Sequence, residues 1–160
     1  YRLRTMLSNE YAIVMVGLTP KQIEKLPDGI IGIARTESQQ ELAEYYSMAD
    51  VFVNLTYLDT FPTTNLEALA CGTPVVTYRT GGSPEAICDT ACEKVEKAGA
   101  EYYPTGMVVE QGDVEGMIRC VRELKSRPIS AAVCRQRAVE HFDKDKCFEE
   151  YIRLYESLIL

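Results

Sequence analysis

The sequence predicts an α/β protein, a doubly wound parallel sheet with helices on both faces. Short apolar runs of strand length recur along the chain. Amphipathic stretches of helix length alternate with them, and prolines or capping residues stand where one gives way to the other.

The elements follow in order. Ala12-Ile13-Val14-Met15-Val16-Gly17 reads as a buried strand, and Thr19 to Leu26 as a short helix with Pro20 in its first turn. Gly29 to Ala34 is a second strand. Residues 38–49 form a helix whose apolar face is Leu42, Tyr45, Tyr46 and Ala49, with Ser38 and Glu41 as a capping box. Asp50 to Leu55 is a third strand, followed by a helix over Asn65 to Cys71 and a strand over Pro74 to Tyr78. Gly106 to Val109 is a fifth strand. Helices are expected over 113–125, 130–140 and 145–159, the last with an apolar stripe of Phe148, Tyr151, Ile152, Tyr155, Leu158 and Ile159. The stretch from Cys88 to Pro104 breaks the rhythm and reads as a surface insertion with a helical piece.

Composition narrows the function classes. With 160 residues, 46% of them apolar and 26% charged, the chain suits one soluble domain. No run approaches the roughly 18 apolar residues of a membrane span. The N-terminus is too short and too basic for a signal peptide and lacks a starting Met, which suggests a fragment of something longer. A net charge of −7 argues against a nucleic-acid binder. It leaves room for a small anion held by backbone amides at a helix start. The six cysteines read as reduced, mostly buried thiols; Cys88 and Cys92 with the distant His141 make a poor zinc site.

In a doubly wound sheet, ligands bind outside the carboxyl ends of the strands. The stretch after the third strand, Asp59-Thr60-Phe61-Pro62-Thr63-Thr64-Asn65-Leu66-Glu67 and on through Cys71-Gly72-Thr73-Pro74-Val75-Val76, is the most informative. Two readings stand. Thr64 and Glu67 fit a capping box, with Gly72 and Pro74 ending the helix, so local structure alone accounts for them. Alternatively, free amides at 63–65 hold a diphosphate at the positive end of the helix dipole, Glu67 accepts from two ribose hydroxyls, and Asp59 touches a sugar. Gly81 and Gly82 are likewise open to turn chemistry or to close approach of a ligand. Arg35 and Arg79 follow strands and lie either near the cleft or on solvated surface. Asp143-Lys144-Asp145 caps the last helix.

The stretch resembles the signature of retaining glycosyltransferases of the two-domain GT-B architecture, the group 1 or glycogen-synthase-like family. Asp59, seven intervening residues, Glu67 and then Gly72-Thr73-Pro74-Val75-Val76 match it. The family more often has Glu at the first position, and Asp59 is one methylene shorter. Residues 41–53, Thr80-Gly81-Gly82-Ser83-Pro84-Glu85, and Thr105 to Val109 with Asp113 resemble the neighbouring segments in order and spacing.

The resemblance implies a Rossmann-like, donor-binding C-terminal domain over 1–160. It implies Asp59 as the catalytic-site acid and Glu67, Phe61, Thr63, Thr64, Asn65, Gly81, Gly82 and Arg35 as substrate-binding residues. The donor would be a UDP- or GDP-type sugar, transferred with retention to a saccharide or lipid-linked acceptor. No metal or cofactor is called for, and no nucleic acid. The N-terminal acceptor domain of the same polypeptide, and an Arg and Lys that clamp the diphosphate, would lie upstream. The expected setting is cytoplasmic, at the inner face of the membrane for the full-length protein, in polysaccharide assembly. The isolated domain is expected to be inactive, and the last turn of the terminal helix to be uncovered. The rivals are an epimerase or phosphorylase of similar architecture and a stand-alone nucleotide-binding or interaction module.

Overall fold

The computed structural model describes residues 2–88 and 93–159. The elements are α1 (Arg2–Met6), β1 (Ile13–Val16), α2 (Pro20–Ile23), β2 (Ile30–Ile33), α3 (Gln39–Met48), β3 (Phe52–Asn54), α4 (Thr63–Ala70), β4 (Val75–Tyr78), α5 (Ser83–Ile87), β5 (Val95–Lys97), β6 (Ala100–Tyr103), β7 (Gly106–Val109), α6 (Val114–Ser126), α7 (Ala131–Phe142) and α8 (Lys144–Ile159). Five strands form one sheet in the order β3-β4-β7-β6-β5, and β1 and β2 pair separately. The neighbours β3, β4 and β7 are parallel; β6 and β5 are antiparallel additions.

Strand alternation sends successive side chains to opposite faces. Val75 and Val108 join Ala68, Leu69, Ala86, Ile87, Cys134 and Ala138, from α4, α5 and α7, on one face. Val76, Tyr78, Met107 and Val109 join Met117, Cys120 and Leu124 of α6 on the other. All four residues of β4 and of β7 are buried, as continuous apolar runs in a two-faced sheet require. Helices on both faces of a mixed sheet, parallel across β3, β4 and β7, are therefore the architecture.

At the N-terminus, the buried Arg4 guanidinium donates to the carbonyls of Leu7, Ser8 and Tyr11. That folds the start of the chain back on itself, and Leu7 packs with Ile118 and Val121 of α6, against which Ile13 and Val53 also lie. β1, expected as a buried strand, has no buried residue, and it and β2 are less protected than the main sheet: Met15, Val16 and Ile31 are exposed.

Two further expectations need correction. The stretch from Glu93 to Tyr103, expected to be part of a surface insertion with a helical piece, is a hairpin that widens the sheet. Its two-residue turn, Ala98-Gly99, has φ of 51° and 71°. This is the left-handed turn that matches strand twist, and it is concealed in sequence because Ala rarely adopts it. Residues 89–92 of the insertion, Cys92 included, lie outside the described residues. In α3, Ser38 Oγ does accept from the Glu41 amide, but the Glu41 carboxylate takes the Glu37 amide instead of completing a box with Ser38.

Cys71, Cys120, Cys134 and Cys147 are free thiols. Burial pushes Cys120 up to about 12 and Cys134 up to about 11, so both stay protonated packing groups. Asp143 Oδ1 accepts from the amides of Asp145 and Lys146, both at 3.1 Å, and so starts α8. No residue of α8 is buried. The uncovered stripe runs from Phe148 to Ile159, beyond the last turn alone, and Leu160 lies outside the described residues. Among the described residues no helix is long and apolar enough to cross a membrane.

The hairpin is fastened by charge. Glu101 accepts from Lys94 at 2.6 Å, from Tyr103 at 2.9 Å and from Arg79. Lys94, then Arg79, hold its carboxyl down to about 2. A lowered folded-state pKa contributes stability above the unfolded value near 4.3 and loses it as pH falls through about 2. Glu101→Gln is therefore expected to lower the urea midpoint at pH 7. Its deficit against the wild type should close between about pH 4.5 and 2. An undiminished deficit at pH 2 would show that the carboxylate charge is not what holds the hairpin.

Candidate functional site

Because β3, β4 and β7 are adjacent and parallel, the segments leaving their carboxyl ends meet at one end of the sheet. Gln111, just after β7, ties them together. Its Nε2 donates to the Tyr57 carbonyl at 2.6 Å and to Thr80 Oγ1 at 3.2 Å. The Tyr57 ring stands edge-on to Tyr78, with centroids 5.6 Å apart.

In the loop after β3, Asp59 Oδ1 accepts from the Phe61 amide at 3.1 Å, an Asx turn that fixes the carboxylate beside its own backbone. Phe61 is half-buried, its ring 5.7 Å from Phe142 of α7. The loop after β4 lies directly on this one: the Gly82 amide donates to the Thr60 carbonyl at 2.8 Å. A Cβ at Gly81, where φ is +47°, would sit 1.8 Å from the Asp59 carbonyl oxygen, and one at Gly82 2.5 Å from that of Thr60. The glycine pair is required by contact between two stretches of the chain's own backbone.

Helix α4 begins at Thr63, two residues earlier than its sequence pattern suggests. Its N-cap is Pro62, whose side chain offers no acceptor, so no side-chain cap forms. Thr63 and Thr64 are exposed in the first turn, where amides have no intrahelical acceptor. The Asn65 amide is taken by the Pro62 carbonyl at 3.1 Å.

The Asn65 side chain is fully buried. Its Oδ1 accepts from Asn54 Nδ2 at 2.8 Å, and its Nδ2 donates to the Ser83 carbonyl at 3.3 Å. Asn54 Oδ1 in turn accepts from the Thr56 amide at 3.0 Å. One line of hydrogen bonds thus joins the end of β3, the start of α4 and the start of α5.

With α4 starting at Thr63, Glu67 is its fifth residue and makes no capping box with Thr64. The bland reading of that pair therefore fails. Glu67 is exposed, and its Oε2 accepts from the Tyr46 hydroxyl of α3 at 3.0 Å. Burial first, then this bond, raises the Tyr46 hydroxyl well above its ordinary value.

The family model of glycosyl transferases group 1 matches residues 6–141. The chain belongs to that family. Relatives of this group 1 glycosyl transferase chain include the D-inositol 3-phosphate glycosyltransferase of Mycobacterium sp. (strain KMS), 33% identical over 66% of this chain and 20% of its own length. The N-acetyl-alpha-D-glucosaminyl L-malate synthase of Bacillus anthracis is 27% identical over 76% of this chain and 29% of its own. Among solved structures, sucrose-phosphate synthase from Thermosynechococcus elongatus superposes with a TM-score of 0.71 at 20% identity, covering 99% of this chain and 48% of that one. HepE of Anabaena in complex with UDP gives 0.73 at 16% identity, covering 98% and 43%. The chain thus spans less than half the length of these proteins, and the likeness in structure is one of fold.

In this group 1 glycosyl transferase chain, the strand-end loops bring together Asp59, Phe61, Gly81, Gly82 and the start of α4. Arg35 is exposed after β2, on the separate strand pair, and takes no part in the bonds that join these loops. Arg79 is paired with Glu101 and Glu110 and is committed to the hairpin. Asp113 caps α6 by accepting from the Gly116 amide at 2.8 Å. Among the described residues, no three His, Cys, Asp or Glu side chains converge as metal ligands do. Asn54, Gln111 and Tyr46 were not singled out from sequence for the site. The first two carried one signal: a polar amide at or just past the end of an apolar strand.

Asn65→Ala leaves the Asn54 amide and the Ser83 carbonyl without their buried partner. The expected loss is about 1–3 kcal/mol of unfolding free energy per unpaired group. Gly82→Ala drives a methyl into the Thr60 carbonyl, at about 1–3 kcal/mol. Urea unfolding of both variants checks these values. Wild-type stability in either would mean that the contact does not constrain the loops.

Proposed function

We propose that this chain is the donor-binding half of a two-domain GT-B glycosyltransferase. With an acceptor domain of the same polypeptide, it transfers a sugar from a nucleoside diphosphate to a saccharide or lipid-linked acceptor, retaining anomeric configuration. Family membership supports the reaction class. The observation that carries the site is the juxtaposition at α4: uncapped amides at Thr63 and Thr64, with an exposed carboxylate, Glu67, that has no part in starting the helix.

Each residue then has a role set by its chemistry. The Thr63 and Thr64 amides, at the positive end of the α4 dipole, take the diphosphate. As the sugar–phosphate bond breaks, negative charge grows on the departing diphosphate, and donors already fixed in place stabilise it without reorganisation. Glu67 accepts from the ribose hydroxyls. Asp59, held by its own turn, meets the sugar at the face opened toward the acceptor. Asn65 serves through its buried side chain by holding the helix start, and Phe61 by anchoring the loop. A basic clamp on the diphosphate comes from the remainder of the polypeptide, consistent with the greater length of the relatives. HepE, alike in fold, has been solved with UDP and with UDP-glucose, which makes uridine diphosphates the first probes. The same reading puts the full-length protein in the cytoplasm, at the inner membrane face where the acceptor is lipid-linked, and fits polysaccharide assembly.

Calorimetric titration with nucleoside diphosphates and their sugars tests the reading. Glu67→Ala is expected to weaken binding by about 1.5–3 kcal/mol, the range for a charged hydrogen bond. Glu67→Gln should lose less, and neither should shift the unfolding midpoint. Residues 1–160 alone are expected to transfer no sugar. Nucleotide affinity that ignores Glu67 would remove the ribose role. Sugar transfer by the isolated chain would overturn the half-enzyme reading, and no binding at all would favour an interaction module.

A further inference from the structure

Glu67 does not stand alone. Of its two carboxylate oxygens, Oε2 accepts from Tyr46 at 3.0 Å. Oε1 receives no hydrogen bond from any described residue. An exposed glutamate ordinarily samples several rotamers, and each must be given up on binding. Here one oxygen is held by a hydroxyl from a different helix, 21 residues earlier in sequence.

That hydroxyl is itself held from two directions. The Tyr46 ring packs edge-on against Phe52 of β3, with centroids 5.4 Å apart at 76°, and lies against the core on that face of the sheet. Its carbonyl accepts from Thr73 Oγ1 at 2.6 Å and from the Ala49 amide at 3.1 Å. Thr73 is buried between α4 and β4. The segments on either side of the site therefore fix Tyr46, and Tyr46 fixes the carboxylate. Such support is what separates a carboxylate that is merely present from one held in a binding geometry.

We propose that Tyr46 is a positioning residue for the donor nucleotide. Its hydroxyl occupies Glu67 Oε2 and so presents Oε1 to the ribose hydroxyls in a single orientation. This rests on the ribose role of Glu67 given above. Tyr46 acts through Glu67, touching no donor atom, and its contribution vanishes when Glu67 can no longer accept from the ribose as a carboxylate.

The test is a double-mutant cycle by calorimetry, with UDP and 2′,3′-dideoxy-UDP, on the wild type, Tyr46→Phe, Glu67→Gln and the double variant, each with a thermal melt. UDP binding to Tyr46→Phe is expected to be about three- to tenfold weaker than to the wild type. The same substitution should cost little in the Glu67→Gln background and little with 2′,3′-dideoxy-UDP, and melting temperatures should stay level. Equal losses in both backgrounds, or equal losses with both nucleotides, would make Tyr46 a fold residue and overturn the proposal. So would wild-type affinity in Tyr46→Phe while Glu67→Gln still weakens binding, a result that leaves the donor reading standing. Wild-type affinity in Glu67→Gln would remove the ribose role and the proposal with it. Should Tyr46→Phe melt early, Glu67→Asp replaces it. Its carboxylate, one methylene shorter, retreats from Tyr46, and undiminished affinity there would overturn the proposal.

Discussion

A side-chain amide with no access to water decides where α4 begins. Asn65 is fully buried, so its donor and its acceptor must both be satisfied by protein. Asn54 at the end of β3 and the Ser83 carbonyl at the start of α5 do this. Each amide passes one donor along the line and accepts one bond, so the chain of bonds has a direction, and shifting any member leaves another unpaired at about 1–3 kcal/mol. That cost is comparable to burying a large apolar side chain, but it is directional, and apolar packing is not. The apolar faces bring sheet and helices together; the amides set the register of α4 against two strand ends.

Charge poses the harder problem at this site. A diphosphate at the α4 start would lie near Glu67 and Asp59 in a chain whose net charge is −7. One pair of like charges 4 Å apart near a protein surface costs about 4 kcal/mol at an effective dielectric of 20. A helix dipole returns about 0.3–1 kcal/mol in an exposed setting and up to about 2 kcal/mol in a favourable one. Helix amides therefore orient the anion more than they neutralise it. Arg79, the arginine that leaves a strand of the main sheet at this end, is already paired with Glu101 and Glu110. On the proposed reading the balance would call for cations from outside the described elements. In the role proposed for them the carboxylates have a use that a neutral surface would lack: they would select a ligand that brings hydroxyls to them, as a ribose does.

Period and capping made most of the fold legible. The five apolar runs expected as strands are strands; covering on both faces explains the fully buried runs of β4 and β7, while β1 and β2 stay apolar though partly exposed. The hairpin at 95–103 was not legible, since its turn uses Ala98 at a φ that favours glycine. The start of α4 was misplaced because Thr64 and Glu67 satisfy the pattern of a capping box, while the geometry that decides the matter depends on Asn54, eleven residues away from Asn65. Local pattern carries no information about such a partner. For the same reason the spacing of Asp59 and Glu67 gives no sign of Tyr46, which reaches Glu67 from another helix. The glycine pair was legible as a demand for space; which backbone fills that space was not.

Pro62 at the head of α4 ties these points together. A Ser, Thr, Asp or Asn in that place would stabilise the helix by about 0.5–2 kcal/mol. Its side chain would do so by accepting from the second- or third-residue amide, one of the donors an anion needs. The chain instead fastens α4 from beneath, through the Asn65 side chain, and from behind, where Arg135 of α7 donates to the Ala70 carbonyl at 2.6 Å. The exposed side of the first turn is left with its amides uncommitted and with two small threonines beside them. Stability that is ordinarily supplied at the helix start is thus supplied elsewhere, and no side-chain cap consumes the first-turn amides.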